Sequence, residues 1–146
     1  MTQKEAQEKL IENMKKWQKV ENGAIAICSR MLEKTDHPIL RMVMETIIRD
    51  SQNHYNVQGL IVDSMTAKPM TLSPDDVKAI WDEVEKHNEL EKETVRLAKE
   101  AIEVLKKSKY LSAQNYLLEY LLADEEKHVM LLENLEKVKD SLYPYN

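Results

Sequence analysis

Apolar side chains recur along this chain in alternating steps of three and four, in four stretches separated by turn signals. The first seam runs Leu10, Met14, Trp17, Glu21, Ala24, Cys28, Met31, and the second Leu40, Val43, Ile47, Asp50, His54, Val57, Ile61, Ser64. The third is Val77, Trp81, Val84, Asn88, Glu91, Val95, Ala98, Ile102, Leu105, and the fourth Leu117, Leu121, Asp124, His128, Leu131, Leu135, Val138, Leu142. This is the period of amphipathic helices, and its seven-residue spacing suits left-handed bundle packing. No stretch alternates with the period of a strand. Start and stop signals frame the same four segments. Thr2-x-x-Glu5 forms a capping box, and Asp36 or His37 caps a helix with Pro38 in its first turn. Ser73-Pro74-Asp75-Asp76 opens the third segment, a break around Ser108–Ser112 precedes the fourth, and Pro144 ends it. The pattern predicts helices at approximately 3–34, 38–66, 74–107 and 112–142, in one all-α four-helix-bundle domain spanning 1–146.

Every seam is interrupted near its middle by polar residues: Glu21, then Asp50 and His54, then Glu91, then Asp124 and His128. An ionised carboxylate buried without a partner costs several kcal/mol or shifts its pKa until it is neutral. Counted from the turns, the glutamate and histidine of each hairpin sit within about one helical step of the same level. A local repeat joins the two halves. The stretch Val43 to His54 aligns with Leu117 to His128, and the histidines stand 74 positions apart. The second copy carries Glu125-x-x-His128, whereas the first keeps Asp50 and His54 but has Ser51 at the glutamate position. Taken alone, either histidine would read as a hydrogen-bonded core residue. Four seams interrupted at one level read instead as a metal centre of carboxylates and imidazoles, whose oxygen-rich donor set suits iron or manganese, with zinc as an alternative.

At these residues the chain resembles the ferritin-like superfamily, in the style of rubrerythrin-like and bacterioferritin-like di-iron proteins. The resemblance spans nearly the whole chain, and Asp124-Glu125-x-x-His128 is its most specific part. It implies that Glu21 and Glu91 are the single-helix carboxylates, that Glu125 bridges two iron ions, and that His54 and His128 bind one each. It assigns Asp50 and Asp124 to hydrogen bonds that orient the ligand histidines. It further implies a left-handed bundle with a crossover between the second and third helices, and chemistry on O₂ or peroxide. About ten residue steps from Met65 to Asp75 reach at most roughly 33–36 Å, against roughly 40 Å for parallel placement. The crossover is therefore expected from the resemblance and not from the loop. Ser51 departs from the family pattern and removes one negative charge; His87, one turn before Glu91, is a candidate replacement ligand.

Composition narrows the partners. With 21 basic and 26 acidic residues the net charge is −5 and no basic run stands out, so nucleic acid is not expected as a partner. Cys28 is the only cysteine, which excludes an internal disulfide and any cysteine-based iron centre. No stretch reaches the roughly 18 apolar residues of a membrane span, and no secretion signal is evident at the start, so a cytoplasmic protein is expected. A homodimer or larger homo-oligomer is also expected. Two further readings stay open: a non-catalytic bundle acting by dimerisation or partner binding, and a mononuclear metal carrier or sensor.

Overall fold

The computed structural model describes residues 1–67, 73–108 and 111–142, except for the side chains of residues 74 and 138–142. Five helices follow in order: α1 (Gln3–Leu32), α2 (Pro38–Thr66), α3 (Pro74–Lys78), α4 (Trp81–Leu105) and α5 (Ser112–Leu142). The described residues contain no strand. The chain divides into two compact units, Met1–Met70 and Thr71–Asn146. In the first, α1 packs on α2; in the second, α4 packs on α5, with α3 touching both. The expected crossover between the second and third helices falls on residues 68–72, and the stop at Pro144 on 143–146; both lie outside the described residues.

The termini form where the sequence supplies caps. The Thr2 hydroxyl accepts from the Glu5 N–H at 3.2 Å, and the Glu5 carboxylate accepts from the Thr2 N–H at 2.7 Å. His37 takes the second cap, its Nδ1 accepting from the Ile39 N–H at 3.2 Å. Ser73 and Asp76 form another reciprocal box at 3.1 and 2.9 Å. The expected third helix is interrupted at Ala79–Ile80. There the Ile80 N–H bonds back only three residues, to the Val77 carbonyl at 3.2 Å, so the α ladder slips and restarts at Trp81.

Arg41 fastens the first hairpin's turn by donating to the Leu32 and Thr35 carbonyls, both at 3.0 Å. These carbonyls lie at or just beyond the end of α1, where the helix offers no N–H partner. Arg41→Ala is expected to cost about 1.5–3 kcal/mol, the range for hydrogen bonds that involve a charged group; urea unfolding should show it as a lower midpoint at unchanged slope.

The seam facing α2 on α1 is the expected one, with Met14, Glu21 and Cys28 buried, although Leu10, Trp17 and Met31 are exposed. On α2 the seam is rotated by one residue. Ser51 and Gln58 are buried, while Asp50, His54, Ile47 and Val57 are exposed. Helix α2 is apolar over much of its circumference, so two stripes 100° apart satisfy the same period, and packing against Glu21 selects the more polar one. In the second unit Val77, Glu91 and Ala98 are buried as expected, whereas Leu121 and Leu131 of α5 are exposed. Each hairpin thus centres on a buried glutamate.

Candidate metal centre

In the first hairpin, Glu21 of α1 is only 6% exposed and points at α2. The Gln58 Nε2 donates to its Oε1 at 3.3 Å, and the His54 Nδ1 lies 3.4 Å from the same oxygen. Ser51 and Trp17 add further hydrogen bonds to the carboxylate. Burial is the largest single influence on this group and pushes its pKa up. The contacts from Ser51, Gln58, His54 and Trp17 together outweigh it and hold Glu21 below the usual carboxylate range. Because the ionised carboxylate only accepts, it fixes the Gln58 amide with nitrogen inward, leaving the Gln58 Oε1 buried without a hydrogen-bond partner.

The second hairpin is built differently. Glu91 of α4 is 8% exposed, and its two oxygens face different histidines. The His87 Nε2 lies 2.8 Å from Oε1, and the His128 Nδ1 3.4 Å from Oε2. The same Nδ1 is 3.4 Å from the Glu125 Oε2. Donor atoms from Glu91, Glu125 and His128 all lie within 4.8 Å of one another, a spacing able to hold a metal ion. The Thr94 hydroxyl bridges the Glu91 carbonyl at 2.7 Å and the Glu125 Oε2 at 3.1 Å. Asp124 stands on the far side of the imidazole, 3.5 Å from Nε2, and is itself paired with the Lys127 Nζ at 2.6 Å. A carboxylate there faces Nε2 and leaves Nδ1 turned toward the two glutamates.

The two glutamates titrate as a pair. Their shared hydrogen bond is the main cause both of the lowered pKa of Glu91 and of the raised pKa of Glu125. For Glu91, burial opposes the shift while His128 and His87 reinforce it. For Glu125, burial reinforces the shift while Thr94 and the His128 charge oppose it. Two close carboxylates repel each other without a cation, so Glu91 ionises first and Glu125 only at a higher pH than an ordinary glutamate.

Of the residues singled out from the sequence, the structure brings Glu21, His54 and Ser51 together in one hairpin. In the other it brings together Glu91, Glu125, His128, Asp124 and His87. Asp50 is exposed. Gln58 and Thr94 escaped the sequence reading, and Trp17 entered it only as a seam position. Gln58 carried a signal, since it stands seven residues after Ser51 on the same face; its counterpart in the second repeat is Leu132. The Ser51/Gln58 pair therefore gives the first hairpin neutral donors where the second has Glu125 and an apolar residue.

Helical hairpins centred on buried carboxylates are the class of architecture these observations define. No protein-family model, curated protein or solved structure matches the chain. No helix among the described residues is long and apolar enough to cross a membrane.

Proposed function

We propose that this is a ferritin-like metal-binding protein whose strong metal position is formed by Glu91, Glu125 and His128. The observation that carries the reading is the convergence of these three donors within 4.8 Å around a buried glutamate. Neighbouring donors on a metal with bonds of about 2.0–2.2 Å stand roughly 3 Å apart. The 3.4 Å separations of the His128 Nδ1 from both carboxylates need only slight contraction to reach that spacing. Two carboxylates and one imidazole fit a divalent first-row ion, with iron or manganese favoured and zinc an alternative. Asp124 orients the imidazole, Thr94 positions Glu125, and a cation relieves the repulsion between the Glu91 and Glu125 carboxylates.

Bound iron or manganese would supply the redox chemistry of an oxidoreductase acting on O₂ or peroxide. The ferritin-like resemblance also assigns Glu21 and His54 to metal binding. Against a full set of metal ligands there, Glu21 already has the Ser51, Gln58, His54 and Trp17 donors, and this favours one strong position per chain. The test is metal analysis of the purified protein followed by Fe(II) reloading in an oxygen electrode. Near-stoichiometric metal with oxygen uptake supports the oxidoreductase, and metal without uptake selects a mononuclear carrier or sensor. Protein that neither carries nor accepts metal refutes the proposal.

A non-catalytic bundle acting by dimerisation is the second reading, favoured by exposed apolar side chains such as Trp17, Val20, Leu97 and Tyr116. Concentration-dependent sedimentation together with a melting temperature indifferent to metal would select it.

Ser51→Glu offers a separate test of the family resemblance. Ser51 is 5% exposed and bonds to Glu21, so a second carboxylate there is expected to destabilise the metal-free protein by about 2 kcal/mol or more. If the resemblance holds, Fe(II) or Mn(II) restores the loss and the metal content rises. A thermal melt with and without metal reads both effects.

A further inference from the structure

We propose that the break at Ala79–Ile80 is a two-state joint. In the observed state α3 is a strap pinned by Val77; released, it continues α4 as one helix from Pro74 to Leu105. The inference stands apart from the metal reading and uses none of its ligands.

The break lacks the residues that ordinarily make one. Sharp interruptions of a helix fall at proline, at glycine or serine pairs, or where a side chain or water enters the ladder. No proline, glycine or serine occurs between Asp75 and Leu105. Nor is the restart built as a helix start. Helices α1, α2 and α3 each begin at a residue whose side chain accepts a backbone N–H, whereas Ile80 offers none. Ser73 opens α3 in extended geometry at φ −78° and ψ 154°, but Ile80 stands at φ −119° and ψ −4°. That is only roughly 55° in φ and 40° in ψ from the α values. Among the described residues no acceptor meets the Asp82 and Glu83 N–H groups. A continuous helix gives them the Lys78 and Ala79 carbonyls.

What opposes continuation is packing. Val77 is 5% exposed, and α3 touches both α4 and α5. Five residues are too few to hold a helix alone, so α3 persists through its Ser73–Asp76 box and this anchor. The burial of one valine and the gain of two backbone hydrogen bonds are of similar size, so the two states lie close in free energy. Two clefts open at the joint. Ile80 lines one of about 360 Å³ and Trp81 one of about 390 Å³, with Val84 and Leu132 common to both. Straightening lifts Val77 from its seat and re-aims Ile80, so both clefts change shape together.

Nuclear magnetic resonance of the full chain tests this. Relaxation dispersion should find microsecond-to-millisecond exchange with a minor state of roughly 0.1–10%, confined to α3 and the first turn of α4. Val77→Gln removes the apolar anchor but keeps helix propensity, and should move the Cα shifts of Ala79 and Ile80 to helical values. It should also slow solvent exchange of the Asp82 and Glu83 amides by about tenfold or more. Ile80→Ser, at a position 53% exposed, supplies the missing cap and should quench the dispersion in the broken state. Wild-type shifts should fall on the line between the two variants, close to Ile80→Ser. A flat dispersion profile across these residues in the wild type overturns the proposal, and that profile decides even where Val77→Gln fails to fold. Coil shifts throughout α3 in Val77→Gln, with the break still in place, overturn it as well, for Val77 would then be an anchor only.

Discussion

His128→Ala is expected to weaken Co(II) or Zn(II) binding by at least about 100-fold, since even the groups that orient a ligand typically contribute 10–100-fold. The substitution removes the one nitrogen that lies 3.4 Å from both Glu91 and Glu125. Asp124→Asn should fall within the 10–100-fold range, because it leaves the donors in place and loosens only the orientation of the imidazole. Isothermal titration in buffers of different ionisation enthalpy reads affinity and proton release together. In the acid range where Glu125 is partly protonated, binding should release a proton that is absent from the titration of Glu125→Gln. The raised pKa of Glu125, caused first by its hydrogen bond with Glu91 and then by burial, extends proton competition to a higher pH than an ordinary carboxylate would. Metal affinity should accordingly fall as the pH is lowered toward the carboxylate range. Equal affinities for wild type and His128→Ala would remove the centre from consideration.

The same pair gives a stability result of opposite sign. A carboxyl group with a raised folded-state pKa contributes stability at low pH that is lost as pH rises from its unfolded value through its folded one. At neutral pH, Glu125→Gln replaces a carboxylate facing Glu91 with an amide that donates to it. Metal-free Glu125→Gln is therefore expected to be as stable as the wild type or more so, while binding metal poorly. A gain in stability bought with lost binding is the signature of a site kept for function.

How much of this was legible in the sequence differs between the two hairpins. Helix positions and caps, apart from the break at Ala79–Ile80, followed from the period and from Thr2, Pro38 and Ser73, because local chemistry sets helix ends. In the second unit the seam through Val84, Glu91 and Ala98 was readable, since α4 is apolar on one side and charged on the other. In α2 it was not. Apolar residues such as Met44, Ile47, Ile48 and Val57 spread around the helix, and period alone cannot choose between stripes that differ by one residue. What chooses is a contact invisible in the α2 sequence by itself: Ser51 and Gln58 turn inward because Glu21 of α1 needs donors. The repeat carried more information than either seam. Aligning Ser51 with Glu125 identified the position where one hairpin places a hydroxyl and the other a second carboxylate. That difference sets the opposite electrostatics of the two centres.

Glu21→Leu is expected to destabilise the protein by on the order of 3 kcal/mol, because it strands buried donors and not because it removes a favourable charge. Gln58 is 3% exposed and Ser51 5% exposed, so neither can turn to water when its acceptor disappears. Each buried group left unsatisfied costs about 1–3 kcal/mol. The effect should depend on pH. The folded-state pKa of Glu21 is lowered: burial, its largest single influence, acts upward but is outweighed by the Ser51, Gln58, His54 and Trp17 contacts. Its contribution is therefore fully present above the unfolded carboxylate pKa and is lost as pH falls through the folded one. Urea unfolding from neutral to acid pH should show the gap between wild type and Glu21→Leu narrowing at the acid end, by the part that depends on the charge, since the protonated carboxyl still accepts hydrogen bonds; parallel curves would mean that the charge of Glu21 is not what the donors hold. Repeating the series with metal bound separates the roles of the two hairpins. A carboxylate satisfied by its own protein donors gains nothing from an ion at Glu91, so the cost of Glu21→Leu should be the same with and without metal. A cost that grows on loading would instead mean that Glu21 exchanges its donors for the ion, which is the ferritin-like assignment.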